Sequence, residues 1–315
     1  MKISVLIPAF NAASTIGKTL DSVISQTRSP AEIIVLDDGS TDETAKIVAA
    51  YSPKVTLHRQ ANQGLGKARN ILCGLANGDL FTFLDSDDVW HPEYLEIQHG
   101  LAERYPDAGA FFTGNLVFSG TEGYDWSTAK PPSSTSDEVF DSLSFFKTYN
   151  RAPGRFFMSF CCLPRRTVEE IGSDLCWDKR FVEDAYLLCQ YALIERPVIY
   201  CPRLLVAYRL TPGSLSSNRL PIYQHSVKVF EALEDKFLHT ANPRLQKEFK
   251  RAFAISHRTF GKYLMGAGQE NAAREQFRDA SQCTTDPISI AKSMGLLAST
   301  YLPAMLQPAW PASQR

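Results

Sequence analysis

Apolar residues in the first third of the chain follow two alternating rhythms. Short apolar runs at 3–7, 32–36, 55–58, 80–84 and 108–112 read as buried strands. Between the first two, residues 14–26 carry Ile16, Leu20, Val23 and Ile24 at helical spacing after a Ser/Thr start. Residues 41–50, 66–76 and 92–104 continue the rhythm as helices, with Pro92 placed for a first turn. Strand and helix in turn predict an α/β fold, a mainly parallel sheet with helices on both faces. Stretches 119–136, 149–158 and 209–219 carry loop-forming residues. They predict long surface loops of the kind that serve as active-site lids. From Pro221 to about residue 300 the pattern is helical. These changes predict one domain over 1–220, with halves 1–115 and 116–220, and a helical region over 221–315.

Composition narrows the class. The chain has 315 residues, 44% hydrophobic and 21% charged, the mix of a globular protein that needs no disulfide or metal staple. Net charge is −1, so no global basic field attracts nucleic acid. The charge is uneven. Residues 1–100 carry 8 Lys+Arg against 12 Asp+Glu, and residues 221–315 carry 12 against 8. The seven cysteines contain no C-x-x-C pair and read as reduced core thiols of a cytosol. The N-terminal apolar run is too short for a signal peptide and ends at Pro8. No apolar stretch of about 20 residues predicts a membrane span. A cytoplasmic location follows as an expectation.

In open parallel sheets, ligands bind beyond the carboxyl ends of the strands. The first strand ends at Pro8-Ala9-Phe10-Asn11, the second at Asp37-Asp38-Gly39-Ser40-Thr41-Asp42, and the fourth at Asp85-Ser86-Asp87-Asp88. Two acidic clusters then share one edge, an arrangement that repels itself unless a cation binds. A hard divalent ion held by one or two carboxylates plus ligand phosphates fits such a cluster. Helix capping by Asp and Ser is the other reading. The segment from Asn62 to Asn70 puts Gly64 and Gly66 before a helix with Lys67 and Arg69 in its first turns, which suits an anion. It lacks the third glycine of a dinucleotide fingerprint, and a glycine turn with solvated charges reads equally well.

Together, Val5 to Asn11, Asp37 to Asp42, Asn62-Gln63-Gly64 with Ala68-Arg69-Asn70, and Leu84-Asp85-Ser86-Asp87-Asp88 resemble family-2 glycosyltransferases of the GT-A fold. Order and spacing both match, and the resemblance extends to about residue 220. It implies an inverting transferase that uses a nucleotide-activated sugar, a UDP-sugar being favoured, and a divalent metal, Mn or Mg. It implies that Pro8, Ala9, Phe10 and Asp37 line the base and ribose pocket. Asp38, Gly64, Lys67, Asp85 and Ser86 join them as nucleotide-sugar-binding candidates, and Arg69 faces the nucleotide. Asp85-Ser86-Asp87 matches the family's D-x-D, with Asp87, assisted by Asp85, on the metal. Phe181-Val182-Glu183-Asp184 matches the later E-D motif, with Asp184 as general base; a first-turn acidic pair is the plain alternative. Tyr208-Arg209 before Gly213-Ser214 matches a further segment, with Thr211 where many members carry His. Arg209 there reads either as a diphosphate ligand or as a surface ion pair.

Trp90, Trp177 and Glu183 are acceptor-side candidates; core packing is the other reading of the tryptophans. The implied partners are a nucleotide-sugar donor and a saccharide or lipid-linked saccharide acceptor, as in cell-surface polysaccharide or glycolipid synthesis. Two other readings stand beside this one: a sugar-nucleotide pyrophosphorylase, and a non-catalytic sugar-nucleotide-binding subunit of a polysaccharide assembly complex. In the last third, residues 243–264 mix Phe and Leu with Arg and Lys, and no charge occurs between Lys292 and Arg315. That combination predicts peripheral, salt-sensitive attachment to the inner face of a membrane. Packing onto the helices or a homodimer contact is the alternative.

Overall fold

A computed structural model of the chain describes residues 1–129, 136–177, 182–210, 219–240 and 242–301. The chain divides into two compact units, Met1–Pro212 and Gly213–Arg315, where the sequence pattern puts the change at residue 221.

Among the described residues, the first unit is built on a nine-stranded sheet. Its strands are β1 (Ile3–Ala9), β2 (Glu32–Asp37), β3 (Thr56–Arg59), β4 (Leu80–Phe83), β5 (Val89–Trp90), β6 (Ala110–Ser119), β7 (Glu138–Phe140), β8 (Cys161–Pro164) and β9 (Val198–Leu210). The order is β3-β2-β1-β4-β8-β6-β9-β5, with β7 also paired to β9. β1, β2, β3 and β4 pair in parallel, as do β6 and β9. β8 runs antiparallel to both β4 and β6 and joins the two parallel blocks. The helices are α1 (Ile16–Ile24), α2 (Thr44–Ala49), α3 (Leu65–Leu75), α4 (Tyr94–Arg104), α5 (Ser142–Arg151), α6 (Arg165–Ile171) and α7 (Glu183–Tyr191).

Alternation explains why the early strands read as unbroken apolar runs. Successive side chains leave a strand on opposite faces. In β1, Val5 and Ile7 enter the core cluster that α1 completes with Ile16, Leu20 and Val23. Leu6 enters the opposite cluster, where α3 supplies Ala68 and Leu72. Both faces are covered, so both sets must be apolar. The register sets Ala9 beside Asp37 and Leu6 beside Phe83, which brings the carboxyl ends of β1, β2 and β4 to one edge.

Residues 149–158 are not the surface loop that their composition predicts. α5 runs through Arg151, short 3-10 turns follow at Pro153–Arg155 and Met158–Phe160, and Phe156 and Met158 are core residues. The apolar side chains in the stretch outweigh its Pro and Gly. Of the 119–136 stretch, Trp126–Thr128 form a 3-10 turn and 130–135 lie outside the described residues. The middle of the 209–219 stretch, residues 211–218, lies outside them too, as do 302–315.

The second unit is helical: α8 (Arg219–Thr240), α9 (Pro243–Gly266), α10 (Glu270–Gln282) and α11 (Pro287–Ser299). Two starts are set by local chemistry. The Asn242 side chain accepts a hydrogen bond from the Leu245 amide at 2.9 Å, and Pro243 occupies the first turn. Asp286 and Pro287 repeat the device at α11, where Asp286 accepts from the Ser289 amide at 2.9 Å. Phe237 and Phe249 stack at 4.2 Å between α8 and α9.

Gly261 lets α9 and α10 approach. A Cβ there would stand 2.5 Å from Cε1 of Phe277, whose ring is fully buried. Gly261→Ala should therefore destabilise the second unit by about 1–3 kcal/mol, the cost of overpacking. Denaturant unfolding would show a lowered midpoint.

Candidate active site

The polar segments that end β1, β2 and β4 are laced to one another by side-chain hydrogen bonds. Asn11 adopts a left-handed backbone, φ 49°. Its amide donates to Ser40 Oγ and its Oδ1 accepts from the Thr41 amide, both at 2.9 Å. Asp37 is fully buried and accepts from the Ser40 amide and from Arg59 Nε, again at 2.9 Å. Asp38 accepts from the amides of Gln63 at 2.9 Å and Gly64 at 2.8 Å, and from Gln60 Nε2 at 2.7 Å. The second acidic residue thus fixes the glycine turn that starts α3. Gly64 there has φ 90°, a conformation that suits glycine. Phe10 is 50% exposed at the lip, and Lys67 is exposed.

α3 then organises the rest. Arg69 is 2% exposed. Its Nη2 donates to Asp85 Oδ1 at 2.7 Å and its Nη1 to Glu183 Oε1 at 2.9 Å. Asn70 pairs with the Cys176 backbone in both directions, each bond 2.8 Å. Gly66 lies so close to the next residue that a Cβ would stand 1.8 Å from the Trp177 carbonyl oxygen. Three residues of one helix therefore hold Cys176, Trp177 and Glu183. Arg69, the residue expected to face the nucleotide, thus has both terminal nitrogens paired with carboxylates.

The acidic turn after β4 is held from several sides. Thr15, just before α1, and Thr19 within it each donate to the Ser86 carbonyl at 3.0 Å. The Asp85 amide donates to Ser159 Oγ at 2.9 Å. Asp85, Ser86 and Asp87 are half-exposed, whereas Asp88 is buried and accepts from the Arg209 amide at 2.9 Å. Burial and the charges of Asp87 and Asp85 hold the Asp88 carboxyl well above the usual range. Arg209, read as a diphosphate ligand or a surface ion pair, is 3% exposed. Its Nε donates to the Asp87 carbonyl at 2.6 Å, its Nη1 to the carbonyls of Gly120 and Glu122, and it lies over the Phe118 ring. It is a brace for the turn in this arrangement, because a guanidinium this enclosed finds its acceptors in the backbone.

Glu183 and Asp184 open α7. Val182 before them has φ 49°, a strained conformation for a β-branched residue. Glu183, an acceptor-side candidate, is buried and bound to Arg69. Asp184 accepts from the Ala185 amide at 2.8 Å. Burial, then the neighbouring Glu183 charge, pushes its carboxyl up to about 7, against the pull of Arg69. Trp177 is half-buried and stacks on Tyr186 at 6.0 Å. Trp90, the other candidate for stacking on a sugar, is 1% exposed, stacks on Tyr94 at 4.0 Å and donates to the Ser159 carbonyl. It is a core residue.

Thr15, Thr19 and Ser159 escape a reading by motif. Thr19 left a signal, a polar residue on the buried face of α1, and Thr15 one just before the helix begins. Ser159 left none.

The chain matches known proteins in sequence and in fold. The model of Glycosyl transferase family 2 matches residues 4–170. Glycosyltransferase GlyA of Streptococcus pneumoniae serotype 4 is 30% identical over 247 residues, 76% of this chain and 35% of that protein. Chondroitin synthase of Escherichia coli is 32% identical over 135 residues, 39% of this chain and 19% of that one. The chain thus spans about a third of the first relative's length and a fifth of the second's. S. aureus TarS 1–349, solved in complex with UDP-GlcNAc, superposes with a TM-score of 0.68 at 18% identity, over 96% of this chain and 89% of that one. Mannosyltransferase PcManGT from Pyrobaculum calidifontis, solved in complex with GDP-Man and Mn2+, gives 0.59 at 20% identity, over 96% and 81%. These last two are likenesses of fold.

Arg69→Met keeps most of the volume but leaves Glu183 buried without its cation. It should destabilise the protein by about 3–5 kcal/mol, the cost of breaking a buried pair from one side. A urea titration of the variant against the parent protein tests this; a change below about 1 kcal/mol would contradict a buried hub.

Proposed function

Because the chain belongs to glycosyl transferase family 2, we propose that it is an inverting glycosyltransferase. In this reading it moves a sugar from a nucleoside-diphosphate sugar, a UDP-sugar being favoured, to a hydroxyl of a saccharide or lipid-linked saccharide. The observation that carries the reading is the Arg69 hub. One guanidinium binds Asp85 of the acidic turn and Glu183, the neighbour of Asp184. Single displacement needs a base on one face of the sugar and leaving-group stabilisation on the other. The hub keeps Asp184 and the acidic turn close without merging them. The UDP-GlcNAc bound to TarS supports the choice of donor.

The donor set of the acidic turn fits a divalent cation that shares its shell with phosphate. Among the described residues, no group of three or more metal-ligating side chains gathers. Two half-exposed carboxylates suit a hard ion that takes its other oxygens from a diphosphate and water. Asp87 would hold it, with Asp85 assisting through the oxygen that Arg69 leaves open. When bound, it neutralises charge on the departing diphosphate. The Mn2+ of PcManGT supports this assignment. Phe10 and the pinned turns at Asp37 to Ser40 and Gln63-Gly64 would border the base and ribose. Arg209 acts one step removed, bracing the Asp87 backbone.

Asp184 takes the acceptor proton. A sugar hydroxyl is a poor nucleophile until a positioned carboxylate removes its proton during attack. A carboxyl raised to about 7 is a stronger base than an ordinary aspartate yet ionised at mildly alkaline pH. The Ala185 amide steadies the charged form at the helix start.

Three outcomes follow. Asp184→Asn should lower kcat by about 10²–10⁴ and leave donor affinity within about twofold; loss of donor binding would make it a binding residue. Because the ionised form is the active one, kcat/KM should fall as pH drops through about 7. That acid limb should vanish from the residual rate of the Asn variant. Asp87→Asn should remove the Mn2+ dependence of UDP binding by calorimetry, with the circular dichroism spectrum unchanged. Metal-dependent affinity that persists would refute the metal assignment.

A further inference from the structure

The second unit carries a cavity that the reading above does not use. A groove of about 250 Å³ lies between α9 and α11. From α9 it takes Arg251, Ile255, Arg258, Thr259 and Lys262, spaced along one helical face. From α11 it takes Asp286, Ile288, Ser289 and Lys292. Four cations thus converge on one small space with one carboxylate. That carboxylate is already used as the α11 cap, accepting from the Ser289 amide. Glu248 approaches Arg251 only at 3.9 Å. Among the described residues, no carboxylate lies within salt-bridge distance of Lys262 or Lys292.

Arg258 forms the floor. Its Nη1 donates to Ser289 Oγ at 2.9 Å and Ser293 Oγ at 3.0 Å, and lies 3.3 Å from the Ser289 carbonyl. The guanidinium is therefore held across the two helices at fixed orientation. Burial, and after it the Arg251 charge, holds it below the usual range for arginine. Gathering like charges around a partly desolvated guanidinium costs stability unless an anion compensates. A planar fork flanked by flexible ammonium groups matches the oxygens of a phosphate. Ile255 and Ile288 rim the groove at 43% and 68% exposure, so an anion carrying an apolar portion is accommodated as well.

We propose that the α9–α11 groove binds a phosphate monoester or diester group, with Arg258 at its floor and Arg251, Lys262 and Lys292 around it. The group has two sources with the same chemistry, a soluble phosphorylated ligand or the head group of an anionic lipid. A lipid source would give the membrane attachment expected from the last third of the sequence a defined set of contacts.

The full chain tests this in two arms. Calorimetry with inorganic phosphate probes the soluble source. Co-sedimentation with vesicles of phosphatidylcholine and phosphatidylglycerol, against pure phosphatidylcholine, probes the lipid. Heat with phosphate identifies the group itself as sufficient, and pelleting with anionic vesicles alone identifies a lipid head group. In either case Lys262→Gln with Lys292→Gln should weaken binding by about tenfold or more, because charge-assisted bonds are lost. Both lysines are exposed and removing them relieves like-charge repulsion, so the thermal midpoint should not fall and a loss of binding is not misfolding. Arg258→Gln should abolish binding. Absence of binding in both arms, or binding that survives in the double lysine variant, would overturn the proposal.

Discussion

The first unit turns on one buried cation. Arg69 sits at 2% exposure with Asp85 on one side and Glu183 on the other, residues 16 and 114 positions away in sequence. Desolvating Arg69 and Glu183 costs several kcal/mol per ion, and only close, well-aligned pairing offsets it. The pairing requires the end of β4, the start of α3 and the start of α7 to occupy fixed places. The Asn70 bonds to Cys176 and the close approach of Gly66 to Trp177 supply the same registration from neighbouring positions on α3. Ion pair, backbone bonds and steric fit thus act on one short segment.

Around that cation the site concentrates like charge. Asp85, Asp87 and Asp88 share one turn, and Glu183 and Asp184 share another. The environment sorts them. Arg69 binds Asp85 and Glu183 directly. Asp88 is buried and shifted toward its neutral form. Burial, and after it the neighbouring Glu183 charge, pushes the Asp184 carboxyl up to about 7 against the through-space pull of Arg69. Burial and one guanidinium thus give carboxyl groups of the same two turns different surroundings. The second unit inverts the sign. Its α9–α11 groove gathers cations, and the stabilising partner there has to be an anion.

Much of this was legible in the sequence for a simple reason. Parallel strands covered on both faces are continuous apolar runs, so 3–7, 32–36 and 80–84 declare themselves. The polar segments that interrupt them then fall at the carboxyl edge. The helical pattern after Pro221 follows from its 3.6-residue period, whereas the helix starts within it at Asn242-Pro243 and Asp286-Pro287 show only in the structure. β8 was not legible: four buried residues, Cys161–Pro164, carry no alternation, yet they join the two parallel blocks.

The sequence by itself determined the order of elements, the edge at which chemistry gathers and the residue types available there. Tertiary structure decided which way each side chain faces. Arg69 and Arg209 have the chemistry of phosphate ligands and Trp90 that of a sugar platform, but all three point inward. Their partners, Glu183, the carbonyls of Gly120 and Glu122, and the Ser159 carbonyl, lie 114, 89, 87 and 69 residues away. Local pattern records period and propensity, which act over a few residues. Solvation of a charge depends on everything packed around it, and that is fixed only when the distant segments meet.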